Sequence, residues 1–197
     1  LQSRMAKKGL GYAVSRITDP KAQANVWSVR KAGLGLMMNV QGEAKPLPFV
    51  EDTAVMPERL PEYVRRFDQI VREHGTTAGY YGHASVGCLH IRPLVNLKRD
   101  EDIQRMESIA RSVSDLVLEF EGAMSGEHGD GIVRAEFIPL MIGEANYELL
   151  KRVKALFDPN SILNPGKIVD AYPMDESLRY EIDRKEPEVK TVMDFSD

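Results

Sequence analysis

Apolar residues recur along this chain with a helical period in two separate stretches. The first stretch begins after Pro57, and its apolar positions are Leu60, Tyr63, Val64, Phe67, Ile70 and Val71. The second begins near Asp100, with apolar positions at Ile103, Met106, Ile109, Val113, Leu116, Val117 and Phe120. Spacings of three and four residues place such side chains on one face of a helix, and proline is favoured at the first helical position. The pattern therefore predicts two amphipathic helices.

Strand-forming residues occupy shorter runs around these helices. One run contains Phe49, Val50 and Val55, two more cover residues 76–83 and 88–95 on either side of a small polar turn, and a fourth covers residues 132–137. The middle pair predicts a hairpin. The resulting order, β-α-β-β-α-β, predicts an α+β domain of the ferredoxin-like type. In this arrangement both helices cover one face of an antiparallel sheet and the other face is open.

The segments outside this unit set the predicted domain boundaries. Residues 19–38 have a helical pattern around Trp27 and then become small and flexible through Gly33 and Gly35, and residues 144–157 have a second helical pattern, so we expect flanking helices. We interpret residues 1–46 as an N-terminal helical segment and residues 47–172 as the ferredoxin-like domain. Residues 173–197 are densely charged and weakly periodic, which is typical of a linker or tail. Because the chain begins at Leu1 and not at a methionine, we expect it to be a piece of a longer polypeptide.

Composition narrows the classes of function. The chain has 197 residues, of which 43% are hydrophobic, so it can bury the core of one domain. A net charge of -4 and a pI near 5.7 give no basic field for nucleic-acid phosphates, and no apolar run approaches the length that spans a bilayer. The single cysteine, Cys88, excludes an internal disulfide and fits a reducing cytoplasm. No secretory signal is visible.

Three of the four histidines lie in two glycine-rich segments, at residues 82–90 and 125–131. His83 and His90 are seven residues apart, so in one uninterrupted strand their side chains would point to opposite faces. A turn centred on residues 85 and 86 pairs residue 83 with residue 88. That register places His83, Cys88, His90 and Arg92 on the open face, with Leu89, Ile91 and Val95 under the helices.

Two imidazoles and the carboxylate of Glu127 match a divalent-metal site with an open position for catalysis, beside which His128 could transfer protons. Less specific interpretations stay open. A pair of strand histidines is often structural or solvated, and the turn at residues 125–131 is also explained as a connector whose Ser and Asp side chains cap backbone groups. His74 precedes a glycine at a predicted helix end, which favours a C-cap over a metal ligand.

Four segments together resemble the C-terminal domain of FAD-linked oxidases of the vanillyl-alcohol-oxidase type. They are Trp27-Ser28-Val29-Arg30, the hairpin from His83 to His90, Ser125-Gly126-Glu127-His128-Gly129, and the stretch from Phe157-Asp158-Pro159-Asn160 to Asn164-Pro165-Gly166-Lys167. The resemblance covers about residues 10 to 172. The family includes D-lactate, glycolate and D-2-hydroxyglutarate dehydrogenases, so the resemblance implies a small 2-hydroxy acid as substrate and FAD as cofactor.

The resemblance implies a role for each matching residue at the reacting centre. His83, His90 and Glu127 are implied to be the ligands of a divalent ion, zinc in this family, that binds the carboxylate and 2-hydroxyl of the substrate. His128 is implied to be the general base, which takes the hydroxyl proton while the hydride on C2 moves to the flavin. Arg30 resembles the clamp for the substrate carboxylate, a task that suits its planar fork.

Two further positions resemble the family's flavin contacts, and one departs from its pattern. Asn164 and Lys167 lie in a turn that the resemblance places near the flavin. Where many relatives have Gly-Asp-Gly-Asn before the second histidine, this chain has Ser85-Val86-Gly87-Cys88, so a thiol replaces an amide as the candidate substrate contact.

The form of the hairpin with Cys88 resembles the subgroup fused to an iron–sulfur domain, and residues 191–197 resemble the segment that leads into that domain. The resemblance thus implies an iron–sulfur cluster in a downstream domain and a location in the cytoplasm or at the inner face of the membrane. The chain contains no glycine-rich loop that could build an FAD-binding domain. We therefore expect FAD to be bound by another domain of the same polypeptide, the fragment alone to be inactive, and its uncovered face to favour self-association.

Two functions of other classes use the same residues. A metal-dependent hydrolase could use His83, His90 and Glu127 as ligands with His128 as base, and would hydrolyse esters or phosphates by itself. A ferredoxin-like binding or regulatory module would bind no metal through these histidines.

Overall fold

The computed structural model describes residues 2–183 and 185, and the chain divides into two units, Leu1–Asn39 and Val40–Asp197. The first unit contains helices α1 (Gln2–Lys7) and α2 (Pro20–Met38). The helix predicted around Trp27 is confirmed, but it continues through Gly33 and Gly35, where we expected a flexible stretch. The carboxylate of Asp19 accepts a hydrogen bond of 2.7 Å from the N–H of Ala22, and Pro20 occupies the first turn, so both ordinary start signals are present.

The second unit is built on a small antiparallel sheet of four strands, β1 (Lys45–Pro46), β2 (Thr53–Ala54), β3 (Ala78–His83) and β4 (Cys88–Val95). All three other strands pair with β4: β3 along most of its length, β1 at its C-terminal end and β2 at its N-terminal end. Because β1 takes part in this sheet, the second unit begins before residue 47.

The hairpin of β3 and β4 has the predicted register. His83 lies opposite Cys88 and Tyr81 lies opposite His90, so the side chains of His83 and His90 share one face. A 3₁₀ turn, Ala84–Val86, connects the strands and ends at Gly87 with φ of 74°.

Two amphipathic helices, α3 (Leu60–Glu73) and α4 (Asp100–Glu119), pack on the other face of the sheet, as predicted. Their buried side chains meet Leu89, Ile91 and Val95 of β4 in one hydrophobic core. Tyr63 packs edge to face on Phe120 with ring centroids 5.4 Å apart, and full burial of a large apolar side chain contributes about 1.5–3 kcal/mol. The domain is therefore α+β, with its helices on one face of the sheet.

The strand predicted over residues 132–137 is wrong. These residues form a turn followed by a 3₁₀ helix, Ala135–Phe137, and helix α5, Ile138–Ile142, comes directly after them. A short apolar run fits a strand or a helical turn equally well, and Pro139, which suits a first helical turn, favours the helix that follows this run. The bridge next to β2 is made instead by Ala123 with Ala54. Of the run from Phe49 to Val55, only Thr53–Ala54 is strand, and residues 49–52 form a turn.

The C-terminal part of the described chain, from residue 144 onward, packs in the second unit as well. Helix α6 (Glu144–Phe157) confirms the helix predicted at residues 144–157. Within the predicted tail, Met174 is 2% exposed and packs with Leu178 against the core, and its N–H donates to Glu136 at 2.8 Å. The described part of this segment is thus attached to the domain, whereas residues 191–197 lie outside the described residues. Among the described helices, none combines the length and the apolar character needed to cross a bilayer.

Candidate metal centre

Three imidazole rings converge on one oxygen atom of Glu127. The Nε2 atoms of His90, His128 and His83 lie 3.1, 3.3 and 3.5 Å from Oε1 of Glu127. The rings of His90 and His128 stack with centroids 4.9 Å apart, and the ring of His83 meets that of His90 edge-on at 5.4 Å. The fold therefore brings together the four residues of the predicted cluster, from the hairpin and from a turn that follows α4.

The hairpin places His90 deep and His83 near the surface. His90 is 3% exposed and its ring contacts that of Tyr81, its partner across β3 and β4, at 4.7 Å. The side chain of His83 is 41% exposed. Burial lowers the pKa of His90, although nearby carboxylates oppose this shift. His90 is thus favoured as a neutral imidazole, the form that coordinates metals.

The turn at residues 125–128 is held by Asp52, a residue that the sequence analysis missed. Its buried carboxylate accepts hydrogen bonds from the hydroxyl of Ser125 at 2.6 Å, from the N–H of Glu127 at 2.9 Å and from the N–H of His128 at 2.7 Å. The thiol of Cys88 donates to the same carboxylate at 3.4 Å. Burial raises the pKa of Asp52, but these hydrogen bonds outweigh it and lower the pKa to about 2.

Glu51, the neighbour of Asp52, contacts the other side of His128. Nδ1 of His128 lies 3.2 Å from Oε1 of Glu51, and Nε of Arg92 lies 2.6 Å from Oε2 of Glu51. A hydrogen on Nδ1 of His128 would donate to this carboxylate and leave the lone pair of Nε2 facing the cluster. The ion pair with Arg92 holds Glu51 in place for that contact.

Arg134 also stabilises the turn, and the sequence analysis did not identify it. Its buried guanidinium donates hydrogen bonds to the carbonyl oxygens of Glu51 and Gly129, so it joins the segment before β2 to the glycine-rich turn. We did not consider Arg134 as part of the site because residues 132–137 were predicted to form a strand. Glu51 and Asp52 carried a weak signal, as two adjacent acids after the apolar pair Phe49 and Val50.

The donor set fits a divalent cation. One candidate ligand atom from each of Asp52, His90, Glu127 and His128 lies within 4.8 Å of the other three, whereas the predicted ligand His83 is outside this group. The carboxylate of Asp52 already accepts the hydrogen bonds described above, which leaves His90, Glu127 and His128 as the available donors of the group. Imidazole nitrogens and carboxylate oxygens are the ligands that zinc and similar ions use. An unprotonated Nε2 atom presents a lone pair. Three such lone pairs repel the nearby carboxylate oxygen of Glu127, unless a proton or a cation lies between the nitrogen atoms and that oxygen. Nδ1 of His90 has no hydrogen-bond partner among the described residues, so packing against Tyr81 and His128 orients this ring.

The other predicted residues have separate positions. The thiol of Cys88 is buried against Asp52. Burial and the nearby carboxylate raise the pKa of this thiol to about 12. The predicted contact of Cys88 with the substrate stays a prediction. Asn164 and Lys167 lie in the segment after α6, where Asn164 has φ of 49°. Arg30 lies on α2 of the first unit, 6.0 Å from the ring of Trp27. His74 is the C-cap of α3, as predicted, and its ring contacts the carbonyl of Ile70 and the hydroxyl of Ser108.

Comparison with known proteins gives consistent matches. A model of the family described as FAD linked oxidases, C-terminal domain, matches residues 1–168. D-2-hydroxyglutarate dehydrogenase of Pantoea ananatis is 39% identical over 78% of this chain, and that of Escherichia coli is 40% identical over 86%. D-lactate dehydrogenase of Archaeoglobus fulgidus is 36% identical over 67% of the chain. The matches span 15%, 16% and 29% of the lengths of these three relatives.

Proposed function

The chain belongs to the family of FAD linked oxidases, C-terminal domain, and we propose that it forms the substrate- and metal-binding part of a flavin-dependent D-2-hydroxy-acid dehydrogenase. The observation that carries the proposal is the convergence of three imidazole Nε2 atoms on one oxygen of Glu127. D-2-Hydroxyglutarate and D-lactate dehydrogenases among the relatives support the substrate class.

In this proposal His83, His90 and Glu127 hold a divalent ion, with zinc the best match to the nitrogen and oxygen donors. When bound, such an ion polarises the 2-hydroxyl of the substrate and lowers the pKa of that group. Three carboxylates, those of Glu51, Asp52 and Glu127, lie around the cluster, and Arg92 pairs with Glu51. The remaining negative charge favours a cation at the site. Of the two ring ligands, His83 is the more exposed, so it borders the side from which a substrate enters.

His128 is proposed as the general base. Its Nε2 atom faces the cluster and its Nδ1 atom faces Glu51, so a proton taken up at Nε2 converts the ring to an imidazolium whose Nδ1–H donates to a carboxylate. Such a partner stabilises the charged ring and fixes its orientation. The chemistry that FAD would supply, when bound, is that of an acceptor for the hydride on C2 of the substrate.

The remaining predicted roles are proposals of the same kind. Arg30 would pair with the substrate carboxylate, Cys88 would contribute to the substrate pocket, and Asn164 with Lys167 would approach the flavin. The matches cover less than a third of each relative named above. We propose that the domain predicted at residues 47–172, together with β1 before it and the segment around Met174 after it, forms the substrate-binding part. FAD binding is proposed for a different part of the polypeptide, and an iron–sulfur cluster for a further domain. In this view residues 1–197 alone do not oxidise the substrate.

Metal content and turnover test the proposal separately. Elemental analysis of protein purified without chelator should find close to one zinc or similar ion per chain, and His90→Ala should lose it. His74→Ala is the matched control, because His74 caps α3 outside the cluster. In the complete flavin-loaded polypeptide, His128→Asn should lower kcat by about 100-fold or more while retaining the ion.

Each alternative predicts a different result. Metal-free protein with unchanged turnover after substitution of His90 would contradict the proposal and favour a non-catalytic binding module. Ester or phosphate hydrolysis by residues 1–197 alone, lost in His128→Asn, would favour a metal-dependent hydrolase.

A further inference from the structure

We propose that Asp52 is a positioning residue that shapes the turn at residues 125–128 and thereby sets Glu127 and His128 in the cluster. The inference rests on the proposed function, because its consequence is a metal site with its base already in place. The proposal is carried by hydrogen bonds that join residues 73 to 76 positions apart in the sequence.

The carboxylate of Asp52 fills the concave side of the turn. Oδ2 accepts from the hydroxyl of Ser125 at 2.6 Å and from the N–H of His128 at 2.7 Å, and the N–H of Glu127 lies 2.9 and 3.0 Å from the two oxygens. Successive backbone N–H groups that point inward form an anion-binding concavity. An aspartate from a different segment occupies it here, so the turn is shaped around an internal anion.

These contacts favour a positioning role over direct coordination. Oδ2 of Asp52 accepts three hydrogen bonds, while Oδ1 accepts from Cys88 and from the N–H of Glu127. Because the lone pairs of both oxygens are used, the carboxylate lies close to the imidazoles without being free to bind an ion. Its negative charge is balanced by donors and its position is fixed by them.

The backbone of Asp52 ties the same turn to the hairpin. Its N–H donates to the carbonyl of Leu89 at 2.8 Å, and its carbonyl accepts from the N–H of Gly126 at 2.7 Å. Asp52 has φ of 74°, a left-handed conformation that is uncommon for a residue other than glycine and persists where the surroundings over-determine it. At Gly126 a Cβ would lie 3.1 to 3.2 Å from Ala54, Asp52 and Cys88, so the turn passes close against this segment.

Three variants separate positioning from general stability. Asp52→Asn keeps a residue that tolerates the left-handed conformation but presents an amide nitrogen to N–H and hydroxyl donors. Ser125→Ala removes one donor and leaves the carboxylate in place. Tyr63→Phe is the matched control: it deletes a buried hydrogen bond of 2.8 Å to Thr53, the neighbour of Asp52, without touching the turn.

Two measurements test this role, one on the turn itself and one on the metal site that it positions. The first is hydrogen exchange of the Glu127 and His128 amides in metal-free protein, which should accelerate at least tenfold in Asp52→Asn relative to Tyr63→Phe. The second is the Kd for Zn²⁺, measured by competition with a chromophoric chelator. It should rise by 10- to 100-fold in Asp52→Asn, rise less in Ser125→Ala and stay within twofold in Tyr63→Phe. The visible spectrum of bound Co²⁺ should change in Asp52→Asn only.

The outcomes distinguish this inference from the proposed function. Protein that binds neither Zn²⁺ nor Co²⁺ in its unaltered form would contradict the metal-binding function, and the exchange of the two amides would still decide the role of Asp52. Tight Zn²⁺ binding and slow exchange in Asp52→Asn, equal to those of Tyr63→Phe, would overturn the positioning role. If Asp52→Asn does not fold, Ser125→Ala decides the question by the same two readouts: unchanged values overturn the inference.

Discussion

Gly87 ends the turn between the strands that carry His83 and His90, and its replacement by alanine gives the sharpest test of the hairpin. Gly87 has φ of 74°, and a Cβ built there would lie 1.8 Å from the carbonyl oxygen of Val55. That oxygen belongs to the backbone, and the N–H of Val55 donates to the carbonyl of Gly87 at 3.1 Å, so neither side can move alone. The alanine must displace either the turn or the segment that follows β2.

The magnitude follows from three contributions. An L-residue in the left-handed region costs about 1–2 kcal/mol, offset by about 0.4–1 kcal/mol because alanine restricts the unfolded chain. Overpacking against a rigid neighbour adds about 1–3 kcal/mol. Gly87→Ala should therefore lower the free energy of unfolding by about 1–5 kcal/mol. Gly75→Ala is the matched control, because Gly75 has φ of 69° and a Cβ there meets nothing within 4 Å.

Urea denaturation followed by circular dichroism measures both variants, provided that m stays unchanged. Gly75→Ala should lose about 1 kcal/mol or less, so the difference between the two variants isolates the contact with Val55. Equal losses in Gly87→Ala and Gly75→Ala would show that the turn relaxes freely and would refute the reasoning. Displacement of the turn should also weaken Zn²⁺ binding in Gly87→Ala only, because His83 adjoins it.

Three further outcomes can be checked on the same protein. Cys88 should resist iodoacetamide at pH 8 in the folded protein and react after denaturation, as seen by mass spectrometry, because burial and Asp52 raise its pKa to about 12. Tyr63→Phe should lower the free energy of unfolding by about 1 kcal/mol, measured in urea, because it removes the buried hydrogen bond to Thr53. Hydrogen bonds from Lys154 and from the amides of Ile162 and Leu163 lower the pKa of Asp158 below 3.8, so its stabilising contribution is present above the ordinary pKa and is lost as pH falls through the lowered one. Asp158→Asn should therefore show a smaller loss of urea stability between pH 6 and pH 3 than the unaltered protein, and an unchanged loss would contradict this.

Local periodicity was sufficient to predict most of the elements and half of the candidate site. The helices α3 and α4 follow from apolar positions three and four residues apart, and the register of His83 with Cys88 follows from the alternation of side chains in a hairpin. Each of these predictions concerns residues that are close in sequence, where geometry leaves few choices. The proximity of Glu127 to the hairpin followed from the pairing of motifs, and the distances bear it out.

Long-range polar contacts could not be predicted in the same way. Asp52 bonds to residues 73 to 76 positions further along the chain, and the residues next to it in the sequence give no indication of those partners. Arg134 bonds to the carbonyl of Glu51, 83 residues away, from a segment whose apolar run suggested a strand. Hydrophobic patterns report which face of an element is buried, but they do not report which buried side chain a distant turn requires.

The three acids around the cluster differ in how their charge is balanced, and this difference indicates where a cation binds. Glu51 pairs with Arg92 at 2.6 Å, and Asp52 is surrounded by hydroxyl, thiol and backbone donors. Glu127 has no lysine or arginine partner among the described residues, and its ion-pair contacts there are the three imidazoles. Burial lowers the pKa of His90, so the nearest of these rings favours the neutral form, which does not balance the charge of Glu127. A divalent cation at this carboxylate would satisfy both the unmatched charge and the converging lone pairs, whereas one at Asp52 would have to displace hydrogen bonds that already exist.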